Sequence, residues 1–345
     1  MVVGLRSPLS AHTAALASPD GGRLAPAMPP PCLIVNPRSF SAARGLAAQA
    51  TALALAEGAE VVTIDSPAGL RATVEAILAR RQRQVMVLGG DGTVCAIVDQ
   101  LSKLPPGAWV PDLLVLPGGR TNLTAADLLP GEGALAVLRR ALRLSRESGW
   151  ERAVEERCAL RIEQAPAPPR HGFFVAGALI DGVIRQCHRH RVERQREGRP
   201  SAPTPLYLLW LGLRALVGRS GLRCPPLRID AGPCGTQQGA CRLLLVSTLM
   251  HRAGLFNPYA PRGQGEVRVS AVSREAPRFW RSLPRLLTGR YAAAMGPAAG
   301  YLSGRCERLE ISGLAGYMLD GEPVEADPSR PVLITAGPRL RFLKP

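Results

Sequence analysis

Residues 85–94 read VMVLGGDGTV: four apolar residues, then Gly89, Gly90, Asp91, Gly92 and Thr93, then the first residue of a new apolar period. A short apolar run bounded by glycines has the form of a buried parallel strand, and Val94, Ile97, Val98 and Leu101 recur at helical spacing. The glycine stretch therefore falls on a strand-to-helix turn. Glycine lets the backbone come close to a ligand, the amides at a helix N-terminus attract phosphate, and a carboxylate in the same turn can hold a metal or a hydroxyl. Taken alone, an ordinary tight turn of Gly and Asp would look the same.

A second turn of the same kind follows. Residues 112–116, DLLVL, end in Pro117, Gly118, Gly119, Arg120, Thr121 and Asn122 before another helical period. Two glycine turns at the C-terminal ends of parallel strands face one crevice of an α/β sheet. Upstream, the pattern predicts a strand over 33–35, a helix over 42–56, a strand over 60–64 and a helix over 70–81, and downstream a helix over 134–144. Such alternation implies a parallel sheet covered on both faces.

After Trp150 the texture changes. Alternating segments at 159–164, 242–248, 266–272, 306–312 and 332–335 read as strands, joined by Pro- and Gly-rich connections. The expected fold is α/β: a parallel-sheet nucleotide-binding domain over 32–150, then a mainly antiparallel β domain over 151–345. Helical insertions are expected around 180–217 and 275–294, and the last strand is free to pack on the first domain. Residues 1–31, rich in Pro, Ala, Ser and Gly, read as a disordered extension rather than a signal peptide.

Several function classes drop out. The P-loop pattern GxxxxGK[ST] needs a lysine, and Lys103 and Lys344, the only two, follow no such loop. The turn after the first strand, Asn36-Pro37-Arg38-Ser39, lacks the dinucleotide fingerprint GxGxxG, which argues against a nicotinamide dehydrogenase of the usual kind. The formal charge of +16 comes almost wholly from arginine, which points to coding bias as much as to a polyanionic partner. Arginine does cluster, with Arg185, Arg189, Arg191, Arg194, Arg196 and Arg199 beside His188 and His190, where phosphate or acidic headgroups would be natural neighbours. No aromatic residue is interleaved with them, so no nucleic-acid partner is expected.

The eight cysteines form no CxxC pair and no zinc spacing, and read as reduced, mostly buried thiols of a cytoplasmic protein. No run approaches the ~20 apolar residues of a membrane span. The longest apolar stretch, 206–217, is interrupted by Arg214 and reads either as a core helix or as a lipid-facing one.

With Asn36-Pro37-x-Ser39 after the first strand, GGDGT after another, Pro117-x-Gly119-x-x-Asn122 after a third and a late Asp320-Gly321-Glu322, the chain resembles the diacylglycerol kinase catalytic-domain family. That family includes sphingosine and ceramide kinases and the bacterial soluble lipid kinases. The likeness runs from about residue 32 to 345, and NAD kinases and 6-phosphofructokinases, which share the glycine-Asp turn, are not expected to carry the late Asp-Gly-Glu. The resemblance implies ATP and Mg2+ as cofactors and a lipid substrate met at a membrane surface. Gly89, Gly90, Asp91, Gly92 and Thr93 match the family's nucleotide loop, and Asn36 and Thr63 fall where family members line the nucleotide site. Arg120, Thr121 and Asn122 belong to the second nucleotide turn. Glu322 matches the catalytic base, and Asp91 would organise nucleotide and metal.

Two positions depart from the family pattern. Arg120 stands where the family usually has a nucleotide-contacting Thr, and an Arg there could pair with phosphate or block the site. Gln264-Gly265 stands where the family commonly has an Asp-Gly pair that helps hold magnesium, and Gln offers only a neutral oxygen. The metal ligands therefore stay open. The leading expectation is a lipid kinase, cytoplasmic or peripheral to the inner membrane surface, and oligomeric state is left unassigned. The alternatives are a kinase-fold protein that binds nucleotide without turnover, and a kinase for a soluble substrate such as NAD.

Overall fold

In the computed structural model, which describes residues 29–39, 45–119, 122–147, 149–179, 181–182, 185, 224–250 and 257–345, strands and helices alternate through the first half of the chain. They run β1 (Cys32–Val35), α1 (Leu46–Ala56), β2 (Glu60–Thr63), α2 (Pro67–Ala79), β3 (Gln84–Gly89), α3 (Asp91–Ser102), β4 (Asp112–Pro117), α4 (Leu123–Leu128) and α5 (Ala134–Arg146). The strands lie side by side in the order β2-β1-β3-β4, all parallel, with Leu33 opposite Val61 and Met86, and Val87 opposite Val115. Every residue of β1 and β3 is buried. That is why both read as unbroken apolar runs: α1 packs beside α5, α2 packs beside α3, and helices cover the two faces of the sheet.

Local signals explain the helix ends. Ser66 caps α2, its hydroxyl accepting from the Gly69 amide at 3.2 Å, with Pro67 preset for the first turn. Along α5, Val137, Leu138, Ala141 and Leu142 face the core, while Arg139, Arg143 and Arg146 face outward.

From Trp150 onward the chain builds antiparallel ladders. The elements are β5 (Val154–Glu163), β6 (Arg170–Gly172), β7 (Phe174–Gly177), β8 (Pro226–Asp230), β9 (Thr236–Ser247), β10 (Val267–Ser273), α6 (Phe279–Leu287), β11 (Tyr301–Cys306), β12 (Arg308–Ser312), β13 (Gly316–Leu319), β14 (Glu322–Glu325) and β15 (Val332–Leu343). Helix α6 is the insertion expected around 275–294. The extension 1–28, most of the insertion around 180–217, and the whole apolar stretch 206–217 lie outside the described residues.

Two differences from the sequence pattern have structural causes. The single strand expected over 306–312 is two, because β11 pairs with β10 whereas β12 pairs with β8 and β15, so the chain changes ladder at Glu307. The last strand runs well past 335. Gly337 and Pro338 interrupt its alternation, and the register with β5 shifts there, between Ala336 and Arg339, at the kind of irregularity where a strand accepts a proline.

Beyond that irregularity β15 joins the parallel sheet, Arg341 and Phe342 pairing with Asp112 and Leu113 of β4. Phe342, fully buried, meets Phe173 edge-on with ring centroids 5.7 Å apart, and both belong to the same core as β1, β3 and β4. Asp112, also buried, accepts from Trp150 Nε1 at 3.1 Å and from Arg341 Nε at 2.5 Å. The end of the chain is thus part of the first core.

Candidate active site

The strand order β2-β1-β3-β4 places a topological switch between β1 and β3: the chain leaves β1 toward one side and returns to the other. At such a point the two following loops splay apart and leave a crevice at the carboxyl ends of the strands. Asn36 follows β1 and the GGDGT turn follows β3. They meet across the switch, Asn36 Nδ2 donating to Thr93 Oγ1 at 2.9 Å, while Asn36 Oδ1 accepts from the Arg38 amide at 3.0 Å.

The glycines of the two turns are needed for close packing. A Cβ on Gly118 would stand 2.8 Å from the Gly89 carbonyl oxygen, and one on Gly119 would stand 2.7 Å from the Gly90 Cα. A Cβ on Gly89 would stand 2.8 Å from that of Thr93. The turns therefore lie backbone on backbone. Asn122, in a left-handed conformation at φ 51°, closes the second turn by accepting from the Gly119 amide at 2.7 Å and donating to the Gly119 carbonyl at 3.0 Å. Arg120 and Thr121 lie outside the described residues.

Helix α3 begins at Asp91, directly after Gly90, so Asp91, Gly92 and Thr93 form its first turn, half-buried at the crevice. The helix dipole favours anionic oxygens at that turn, where the Thr93 amide donates to the Gly90 carbonyl at 3.0 Å. Thr63 lies further out, exposed at the end of β2 and level with Val35.

The late Asp320-Gly321-Glu322 forms the two-residue hairpin between β13 and β14, with positive φ at both central residues, 47° at Asp320 and 89° at Gly321. Its two acids have different surroundings. Asp320 is buried, its carboxylate accepting from the Phe174 amide at 2.8 Å and from the Phe173 amide at 2.9 Å. Burial pushes its pKa up to about 7 against those hydrogen bonds and one from Cys95, and the nearby charge of Asp91 adds to the rise. Glu322 is exposed and reaches α3: a Cβ on Gly92 would stand 2.6 Å from Glu322 Oε1. The hairpin thus brings Glu322 and Asp320 to the glycine turn that carries Asp91.

The sequence reading missed Cys95, Asp99 and the Arg157–Asp127 pair here. Asp91, Cys95 and Asp99 recur at i, i+4 and i+8 along one face of α3, a spacing visible in the sequence. Cys95 is hydrogen-bonded to Asp320, and its thiol is pushed well up by burial and then by the charges of Asp320, Asp99 and Glu322. Asp99 accepts from the His171 amide at 2.9 Å. Burial alone would raise Asp99, but hydrogen bonds from His171 and Lys103 outweigh it and hold the carboxyl below its ordinary value. Beneath α4, Arg157 and Asp127 form a buried ion pair at 3.2 Å.

Two other residues singled out in the sequence have their own surroundings. Gln264 is exposed on the loop entering β10, and its neighbours Gly263 and Gly265 are packed on Arg305 and Cys306 of β11. Of the arginine cluster only Arg185 is described. Its guanidinium is held inside the chain, Nε at 2.8 Å from Asp181, with further bonds to the Val324 carbonyl and to Glu325. Among the described residues no three His, Cys, Asp or Glu side chains are grouped to hold a metal. A groove of about 670 Å³ does exist, but it lies at the other end of α3, lined by Leu104, Pro106, His171 and Pro338.

A parallel sheet with glycine turns after β3 and β4, and an acidic hairpin returned to the first of them from the second half of the chain, is the two-domain fold seen in diacylglycerol kinase structures. Residues 30–150 match the diacylglycerol kinase catalytic domain. A crystal structure of a diacylglycerol kinase from Bacillus anthracis has the same fold, with TM-score 0.56 and 13% identity, over 91% of this chain and 96% of that one. Two further structures from that organism, given the same name provisionally, superpose with TM-scores of 0.59 and 0.58 at 13% identity, over 91% and 92% of this chain and 96% and 97% of theirs. No curated protein matches the chain.

Proposed function

We propose that the protein is a lipid kinase, transferring the γ-phosphate of ATP to the hydroxyl of a diacylglycerol-like or sphingoid lipid. The observation that carries this reading is the contact of Glu322 with Gly92. It supports a solvent-reachable carboxylate acting beside the glycine turn at the head of α3.

In this reading the ATP phosphates rest at the N-terminal turn of α3, in the crevice bridged by the Asn36–Thr93 hydrogen bond. Glu322 accepts the proton of the lipid hydroxyl as its oxygen forms a bond to the γ-phosphorus, and the bond from that phosphorus to the β-γ bridging oxygen breaks to release ADP. Phosphoryl transfer asks the protein mainly for positioning and charge neutralisation, with one carboxylate to orient the nucleophile. Mg2+ commonly uses one or two protein carboxylates and completes its shell with water and phosphate oxygens, so a three-residue protein cage is not required. Asp91 is the residue that would hold it, and the ion would supply charge neutralisation on those oxygens. Buried Asp320 anchors the hairpin and leaves proton transfer to Glu322.

Radiolabelled ATP offered with diacylglycerol, sphingosine, ceramide and NAD tests the proposal. Labelled lipid is expected, and Glu322→Gln should lower kcat by ~10²-fold or more with little change in ATP affinity. Labelled NAD alone, or full activity in the variant, would remove the lipid kinase reading. ATP-dependent stabilisation with no labelled product would leave a nucleotide-binding protein without turnover.

A further inference from the structure

Helix α6 carries apolar side chains in two directions. Phe279 and Leu286 turn toward the sheet, Leu286 buried with Leu245, Tyr259, Val272 and Tyr301. Trp280 is 57% exposed and Leu287 37% exposed, and with exposed Pro284 they recur at i, i+4 and i+7 as one outward stripe. Singly exposed apolar residues are ordinary, whereas a Trp-Pro-Leu stripe on one helix face is a surface feature to be explained. The stripe is also braced. Trp280 meets Phe279 edge-on at 5.1 Å, and the Arg242 guanidinium lies 4.4 Å over the Phe279 ring.

The flank of that stripe is cationic. Arg281 and Arg285 occupy the adjoining helical row, Arg278 precedes the helix, and Arg274 and Arg290 lie just outside its two ends, all exposed. Across 274–291 the single acid is Glu275. None of these five arginine side chains is held by a carboxylate among the described residues. Arg185, by contrast, is tied down by two acids.

A helix with Trp and Leu on one side and arginines beside them suits the boundary between headgroups and acyl chains. Its rings and methyls can enter the apolar layer while the guanidinium groups reach the phosphates. A nucleic-acid backbone would use the arginines but would leave the Trp-Pro-Leu stripe in water. We propose that α6 seats the protein on an anionic lipid surface, Trp280 and Leu287 entering the interface and Arg278, Arg281 and Arg285 lying on lipid phosphates. Membrane seating through α6 needs no phosphoryl transfer, so it stands or falls apart from the kinase reaction.

The test is cosedimentation, without ATP, on phosphatidylcholine vesicles with and without about one-third phosphatidylglycerol. The full-length protein is expected to bind the anionic vesicles and to release them as salt rises. Arg281→Gln with Arg285→Gln should weaken binding about fivefold per arginine, and Trp280→Ser with Leu287→Ser about tenfold or more. Thermal melting should confirm that both variants remain folded. Because the chain is basic overall, Arg139→Gln with Arg143→Gln on α5 is the control and should bind as the parent does. Equal losses in control and α6 variants would assign binding to diffuse charge and overturn the proposal. So would equal binding to neutral and anionic vesicles, or duplex DNA binding that the α6 arginine variant loses while its vesicle binding stays intact.

Discussion

Glu322 occupies the space that a side chain at Gly92 would need: a Cβ there would stand 2.6 Å from Oε1 and 3.3 Å from Cδ. Gly92 lies in the first turn of α3 and Glu322 at the start of β14, so the contact joins the glycine turn of the parallel sheet to a hairpin of the antiparallel part.

This contact makes Gly92→Ala a selective lesion. Alanine favours a helix over glycine by up to ~1 kcal/mol, and the group it meets is the end of a flexible side chain, so the fold should survive or gain slightly. The carboxylate must move. A displacement of ~1 Å at a reacting group can cost on the order of 10²-fold in rate. The melting temperature should hold or rise while kcat falls at least tenfold, and a variant with parental turnover would show that Glu322 does not act from this position.

Asp91 is expected to act on nucleotide and metal rather than on the fold. It is half-buried at the head of α3, where a carboxylate contributes only ~0.3–1 kcal/mol through the helix dipole. Asp91→Asn should leave the unliganded melting temperature within a few degrees of the parent and shrink the stabilisation produced by ATP with Mg2+. An unchanged nucleotide shift would take Asp91 out of the site.

How much of this could be read from sequence depends on how local each signal is. The two glycine turns, their strands and the helix after GGDGT follow from short apolar runs and helical spacing. The Asp-Gly pair at 320–321 carries its own hairpin chemistry, and Glu322 comes from the family resemblance. What did not show in sequence is long-range placement. Nothing local to Asp320 says that the amides of Phe173 and Phe174 will enclose it, and nothing local to Arg185 says that Glu325 will be its partner. The strand expected over 332–335 stops short because Gly337 and Pro338 look like a terminator, whereas the ladder passes them through a bulge.

That continuation has an energetic consequence at Phe342. It is fully buried against Phe173 in the core shared with β1, β3 and β4. Truncating a buried Phe to Ala typically costs ~3–5 kcal/mol. Phe342→Ala should therefore destabilise the parallel-sheet half although it lies near the end of the chain. Urea unfolding followed through Trp150, which donates to Asp112 beneath the same strand, reports it. A midpoint unchanged from the parent would mean that β15 is not part of that core in solution.

Asp320 supplies a pH signature. Its carboxyl is pushed up to about 7, chiefly by burial, from an ordinary 3.8. Between those values the folded protein holds a proton that the unfolded chain has released, so this group's contribution is full below pH ~4 and is lost as pH rises toward 7. The loss is on the order of a few kcal/mol, since a tenfold difference in proton affinity between the folded and unfolded chain corresponds to ~1.4 kcal/mol. Asp99, held below its ordinary value, acts with the opposite sign, being stabilising once ionised and losing that contribution as pH falls. The informative quantity is therefore the difference between the parent and Asp320→Asn. Asparagine does not titrate, so the parent should lose stability relative to the variant from pH 4 to 7, and the difference should level off above pH 8. The amide can still accept the Phe174 hydrogen bond but presents a donor to the other amide, which loosens the hairpin that carries Glu322. Turnover should fall while the KM for ATP stays near the parental value. Parallel stability curves across this range, or a KM for ATP that rises with kcat unchanged, would rule out Asp320 as the buried anchor that positions Glu322.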